Sequence, residues 1–268
     1  MPCDVHLSVG AGRVRVAVRY GGRMPAGLST MIAASLIAAA GAPAAPLAGV
    51  TVNVDPGHNP GNAAHPARVN RIVERGPIRK ACDTTGTATN AGYPEWRFTG
   101  QLATRLARRL HAAGATVTFT RAHSAPAWGP CITGRADAGN RADGAISLHA
   151  DGSNAAGARG FHVIRPGFVR GFTGDVTRRS STLALQVRDG LQALRGGIPP
   201  STYAGRAGID VRTDLGGLTL SDVPKVMVEH GNMRNAADAR LLTSPAEQER
   251  LAAALGGAIV RWHAAERR

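Results

Sequence analysis

The chain has 268 residues, of which 43% are hydrophobic and 4% aromatic, a length that fills one α/β domain and excludes two large ones. A net charge of +14 and a pI near 11.3 raise nucleic acid as a partner. Yet nearly all of the positive charge is scattered arginine, with Lys80 and Lys225 the only lysines, and no run interleaves arginines with aromatics into a stacking platform. The charge reads as a solvated face suited to anionic surroundings such as a cell envelope.

Residues 28–40, LSTMIAASLIAAA, are an apolar run too short to span a bilayer, followed by the small-x-small pattern Ala42-Pro43-Ala44. Residues 1–44 are therefore expected to be an export leader, with Arg13, Arg15, Arg19 and Arg23 as its positive region. Met24 is an alternative start. Cleavage there removes Cys3 and leaves Cys82 and Cys131, an even pair that an exported protein is expected to oxidise to a disulfide. The mature chain, residues 45–268, is expected to be one catalytic domain, monomeric, exported to the periplasm, cell wall or medium, and without a membrane span after processing.

Along that domain, residues 50–55 (VTVNVD) alternate as a strand and break at Pro56-Gly57. Residues 59–94, rich in Gly, Asn, Thr and Pro, are expected to be a long functional loop. Residues 95–113 space Phe98, Leu102, Leu106 and Leu110 as a helix that stops at Gly114. Residues 115–120, 144–151 and 160–166 read as strands, 180–195 as an amphipathic helix and 224–232 as an apolar strand running into glycine. Helices follow over 235–242 and 245–264, the second capped by Ser244 with Pro245 at its first position. Strands alternating with helices predict an α/β fold, a twisted and mostly parallel sheet flanked by helices on both faces.

Three of these strands end in a polar residue that a buried sheet does not need: His58 in VDPGHNP, His149 in SLHAD and Glu229 in VEHGN. Strand carboxyl ends line the ligand crevice of an open α/β sheet, so these side chains can converge. Glu95 adds a carboxylate from the start of the helix after the long loop. Two imidazoles and one carboxylate are the ligand set of a catalytic zinc, Zn2+, that keeps one position open for water. His58, Glu95 and His149 fit the ligand roles. Glu229 fits a carboxylate that takes the water's proton and passes it to the leaving amine.

In that order, VDPGHNP, GYPEWRF, SLHAD and VMVEHGN resemble the zinc-dependent N-acetylmuramoyl-L-alanine amidases of the amidase-3 type. The likeness covers roughly residues 50–264. It is nearest to the compact single-domain mycobacterial form, with which the chain shares the cysteine pair and the stretch GTATNAGYPE at residues 86–95. The resemblance implies hydrolysis of the amide between N-acetylmuramic acid and L-alanine, in peptidoglycan or in soluble muropeptides. One residue departs from the pattern: His230, where the family commonly has an apolar side chain. With the three ligands already assigned, it is expected at the rim of the site or supporting a ligand.

Other polar residues carry less. His65, His123 and His162 are read as structural, and Asp55 as holding the turn or orienting a ligand. Arg71, Arg75, Arg79 and Arg159 are candidate contacts for the peptide's carboxylates, with a solvated surface the favoured reading. Ser147 and Ser153 lie near His149, but no G-x-S-x-G elbow accompanies them. The competing functions are a metallo-carboxypeptidase on wall peptides and a wall-binding regulator without catalysis.

Overall fold

The structure, a computed structural model, describes residues 4–10, 13–19, 44–121 and 128–268. The chain divides into two bodies at Pro43 and Ala44. In the first, β1 (Asp4–Gly10) and β2 (Arg13–Arg19) form an antiparallel pair with Asp4 opposite Arg19. The apolar run expected at 28–40 lies outside the described residues.

The second body is built on a six-stranded sheet. Its strands are β3 (Thr51–Pro56), β6 (Thr116–Phe119), β7 (Gly144–Asp151), β8 (His162–Pro166), β9 (Ile209–Arg212) and β10 (Lys225–Asn232), in the order β6-β3-β7-β10-β8-β9. Every pairing is parallel except that of β10 with β8. Helices α2 (Glu95–Ala112), α4 (Thr177–Gln192) and α7 (Pro245–Glu266) pack together on one face. Short helices α3 (Ile132–Gly139) and α5 (Gly216–Thr219) take the other. The mostly parallel sheet with helices on both faces is the one the alternation of strands and helices predicts.

The two faces differ in chemistry because strand side chains alternate. Val52, Val54, Ile146, Leu148, Val226 and Val228 join Phe98, Leu102 and Leu106 of α2, Leu183 of α4 and Leu255 and Trp262 of α7 in the main apolar core. The alternate positions Asn53, Asp55, Ser147 and Lys225 are buried too, but polar. Asp55 is the hub there: it accepts from Arg135 at 2.7 Å, Lys225 at 3.1 Å, Ser147 at 2.9 Å and Thr120 at 2.6 Å. This matches its expected role in holding the turn.

Residues 59–94 are more structured than a loop. They hold a 3-10 turn (Asn62–Ala64), α1 (Pro66–Val69) and an antiparallel hairpin of β4 (Ile72–Arg75) and β5 (Ile78–Ala81). Ile78 anchors the hairpin in a small second core with Ala136 and Leu220. These strands of four residues carry charges at half their positions, which hides them from a search for apolar runs. Just beyond, Cys82 is bonded to Cys131, which precedes α3.

Candidate active site

β3 ends in Pro56-Gly57-His58, and His58 takes a left-handed backbone with φ 58°, a conformation few residues other than glycine adopt. Arg135 of α3 holds the turn in place, donating to the carbonyls of Pro56 at 2.9 Å and His58 at 3.2 Å and pairing with Asp55 and Asp83. The His58 ring is oriented by Nδ1, which donates to the Thr84 carbonyl at 3.1 Å and so leaves Nε2 as the nitrogen with a free lone pair.

That nitrogen faces Glu95, the first residue of α2, at 3.1 Å. The other Glu95 oxygen meets Nδ1 of His149 at 2.9 Å and accepts from the Ala150 N–H at 3.1 Å. Donor atoms of His58, Glu95 and His149 all lie within 4.8 Å of one another. Among the described residues they are the cluster of this kind, and they are the three that the sequence nominates as ligands. Two imidazole nitrogens and one carboxylate oxygen on so short a span suit a single divalent ion of borderline softness.

Glu229 joins them from β10, where its Cα is the register partner of His149 on β7. The four residues line one cavity of about 500 Å³, together with Lys80, Asp83 and Asp151. The two glutamates sit in opposite electrostatic settings. Burial pushes the Glu95 carboxyl up, but the imidazoles of His58 and His149 outweigh it and hold the group well below the usual carboxylate range. Burial also pushes Glu229 up, and there the negative charges of Glu95 and Asp151 add to the rise. Glu229 Oε2 is buried with no hydrogen-bond partner in the protein. The cluster thus holds one carboxyl whose proton affinity is lowered by imidazoles and, beside it, one whose proton affinity is raised, the division expected of a metal ligand and an acid–base group.

The remaining candidates separate cleanly. Of its two expected places, His230 takes the one in contact with the candidate ligand His149 and not the rim. It is fully buried on the core side of β10, its ring edge against Phe98, and it donates Nδ1–H to the His149 carbonyl at 2.9 Å. His162 is buried on β8 beside Tyr203, His65 precedes α1, and His123 lies outside the described residues. Ser147 is spent on Asp55. Arg75 pairs with Asp137, Arg79 with Glu74 and Arg159 with Asp238, while Arg71 lies 3.8 Å from the Cys131 sulfur.

Several neighbours of the site were invisible in the sequence: Arg135 and Lys225 beneath it, Lys80 at its mouth, and Asp151, which accepts from Tyr203 at 2.8 Å. Asp151 had a signal, since it closes the SLHAD block. Arg135 had none, because its partners at 55, 56, 58 and 83 are distant in the chain.

Comparison with known proteins agrees with this geometry. Residues 52–261 match the amidase-3 family, described as N-acetylmuramoyl-L-alanine amidase. The chain is 40% identical over 235 residues to the N-acetylmuramoyl-L-alanine amidase Rv3717 of Mycobacterium tuberculosis, covering 87% of this chain and 94% of that protein. The crystal structure of the Ami1 amidase from Mycobacterium smegmatis superposes with a TM-score of 0.74 at 37% identity, over 82% of this chain and 99% of that one. Ami1 from Mycobacterium abscessus, solved in its apo form, gives a TM-score of 0.72 at 40% identity, over 80% and 99%. A single α/β body, the strand-end cluster and a match across most of the chain converge: the protein is a member of the N-acetylmuramoyl-L-alanine amidase family of the amidase-3 type.

Proposed function

We propose that this chain hydrolyses the amide bond between N-acetylmuramic acid and L-alanine, in peptidoglycan or its fragments, with His58, Glu95 and His149 holding a zinc ion and Glu229 moving the proton. The observation that carries the reading is the juxtaposition of Glu229 with the three-residue cluster: a buried carboxyl with an unpartnered oxygen, in register with one ligand and open to the same cavity. When bound, zinc supplies a Lewis acid that polarises the amide carbonyl and makes water a nucleophile near neutral pH. Glu229 takes the proton of the attacking water and delivers it to the departing nitrogen of L-alanine, so the amine leaves neutral. Arg135 keeps the His58 turn in place, and the Thr84 carbonyl keeps the His58 ring oriented.

Export belongs to the same reading. Residues 1–44 act as the leader, residues 45–268 are the working enzyme, and the Cys82–Cys131 bond suits an oxidising compartment. Among the described residues no helix is long and apolar enough to cross a membrane, and a monomer is the proposed working form.

The test is mass spectrometry of muropeptides incubated with the zinc-loaded protein and with Glu229→Ala. Release of whole stem peptides by the wild type alone is expected. Peptides merely shortened at their ends would make the enzyme a carboxypeptidase, and identical null results with both proteins would favour a binding role.

A further inference from the structure

Two cations line the catalytic cavity among the described residues, and only one is available to a ligand. Arg135 is buried, with its guanidinium on Asp55, Asp83 and two carbonyls. Lys80 has a side chain 42% exposed. Its placement follows from the hairpin: Ile78 is buried beside α3, and Lys80, two residues on, shares that face and reaches the cavity. Arg79 between them points away and pairs with Glu74.

The hydrogen-bond partner of Lys80 is Asp214, at 2.9 Å. Asp214 does not depend on it. Arg212 grips the same carboxylate with two bonds, at 2.7 and 2.8 Å. That fork is the chief reason Asp214 sits well below the usual carboxylate range, ahead of the contribution from Lys80. Lys80 can therefore leave Asp214 without stranding a charge. A lysine on a four-carbon stem is suited to such an exchange, being a mobile point charge where arginine is a fixed fork. The other ionisable side chains lining the cavity are carboxyls, the two imidazoles of the cluster and the buried Arg135, so Lys80 is the side-chain cation there that an anionic substrate can reach.

We infer that Lys80 recognises a free carboxylate on the peptide portion of the substrate, exchanging Asp214 for it and favouring acidic over amidated stem peptides. This rests on the amidase reading above. It assigns the hairpin a part in choosing substrate, distinct from the chemistry at Glu229.

The experiment compares two soluble muropeptides identical except that the carboxyl following L-alanine is free in one and amidated in the other, with the zinc-loaded full chain. Lys80→Met is expected to raise KM for the acidic substrate about fivefold, the scale of a partly exposed charge pair, with kcat unchanged and KM for the amidated substrate unmoved. Lys80→Arg should restore most of the difference. Equal changes for both substrates, or none, would overturn the inference. Disturbance of the hairpin itself raises both KM values together, so the ratio within one variant separates recognition from damage. A wild-type chain that releases stem peptide from neither substrate overturns the amidase reading first, and this inference with it.

Discussion

His230 donates its Nδ1 proton to the carbonyl of His149 across β10 and β7, so the strand that presents one candidate ligand is pinned from the core side by a second imidazole. Burial drives the His230 imidazole down to about 4, which keeps it neutral and keeps that N–H in place at physiological pH. His230→Leu should leave zinc content per chain unchanged, because the ring does not join the cluster. It should cost about 1–2 kcal/mol of stability through the carbonyl left without its donor. Metal analysis beside a denaturant titration checks both, and loss of zinc would show that the ligands are wrongly assigned.

Gly57 lies under the His149 ring so closely that a methyl group there would meet the imidazole at 2.3–2.6 Å. Its backbone is outside the left-handed region, and its carbonyl is held by Thr99 at 2.9 Å and Arg121 at 3.1 Å, so neither side of the contact yields easily. Gly57→Ala should therefore push His149 aside and weaken zinc binding by about tenfold or more, the scale of losing a ligand's orientation. Gly217→Ala is the control. It also lines the cavity, yet its methyl would meet only Lys225 Nζ, at 3.9 Å, and zinc binding should not change.

Asp55 gives the domain a built-in sensitivity to acid. Burial pushes its carboxyl up, but the charges of Lys225 and Arg135 outweigh that and hold it far below the ordinary range. A carboxyl depressed in the folded state contributes stability in full above its unfolded value, about 3.9, and loses it as pH falls below that point. Unfolding midpoints should drop steeply below about pH 4 in the wild type. Asp55→Asn should flatten that slope, and at pH 7 it should cost about 3–5 kcal/mol by leaving buried Lys225 without its anion and Arg135 with Asp83 alone. A variant that keeps the wild-type acid slope would move the sensitivity elsewhere.

Reduction of the Cys82–Cys131 bond reaches the candidate metal site through a short path. Cys82 is two residues before Thr84, whose carbonyl orients His58, and Asp83 between them pairs with Arg135. Across a sequence separation of 49 residues, removing the link is worth about 4 kcal/mol on the chain-entropy model. The Cys82→Ser, Cys131→Ser double variant should melt at a lower temperature and bind zinc less tightly. A melting temperature that falls while zinc affinity holds would confine the bond to a stabilising role.

Five of the six strands of the sheet and the four candidate site residues were legible because they obey local rules, whereas the four-residue edge strand β9 was not foreseen. Apolar strands running into glycine, and polar residues left at strand ends, are written in consecutive positions around 58, 149 and 229. The hairpin at 72–81 was not, since its short strands are stabilised by the tether of Ile78 and by Arg75 reaching Asp137, both long-range contacts. Helix α3 escaped notice for a related reason. With Gly134 and Gly139 in eight residues it has little intrinsic helical preference, and it is held instead by Arg135 and the neighbouring cystine. Which of its two expected places His230 takes, support of a ligand or the rim, is decided by alternation along β10, which sends it to the face opposite Glu229 and against Phe98.

Arg135 also sets when the site comes into being. Its guanidinium collects the carbonyls of Pro56 and His58 with the carboxylates of Asp55 and Asp83, and none of these is near it in sequence. No fragment of the chain contains the geometry that His58 needs. Without α3 on the sheet, the turn that carries His58 lacks the guanidinium that holds it beside Glu95 and His149. Under the proposed reading, zinc affinity is therefore acquired together with the tertiary fold and is absent from the unfolded chain that crosses an export channel.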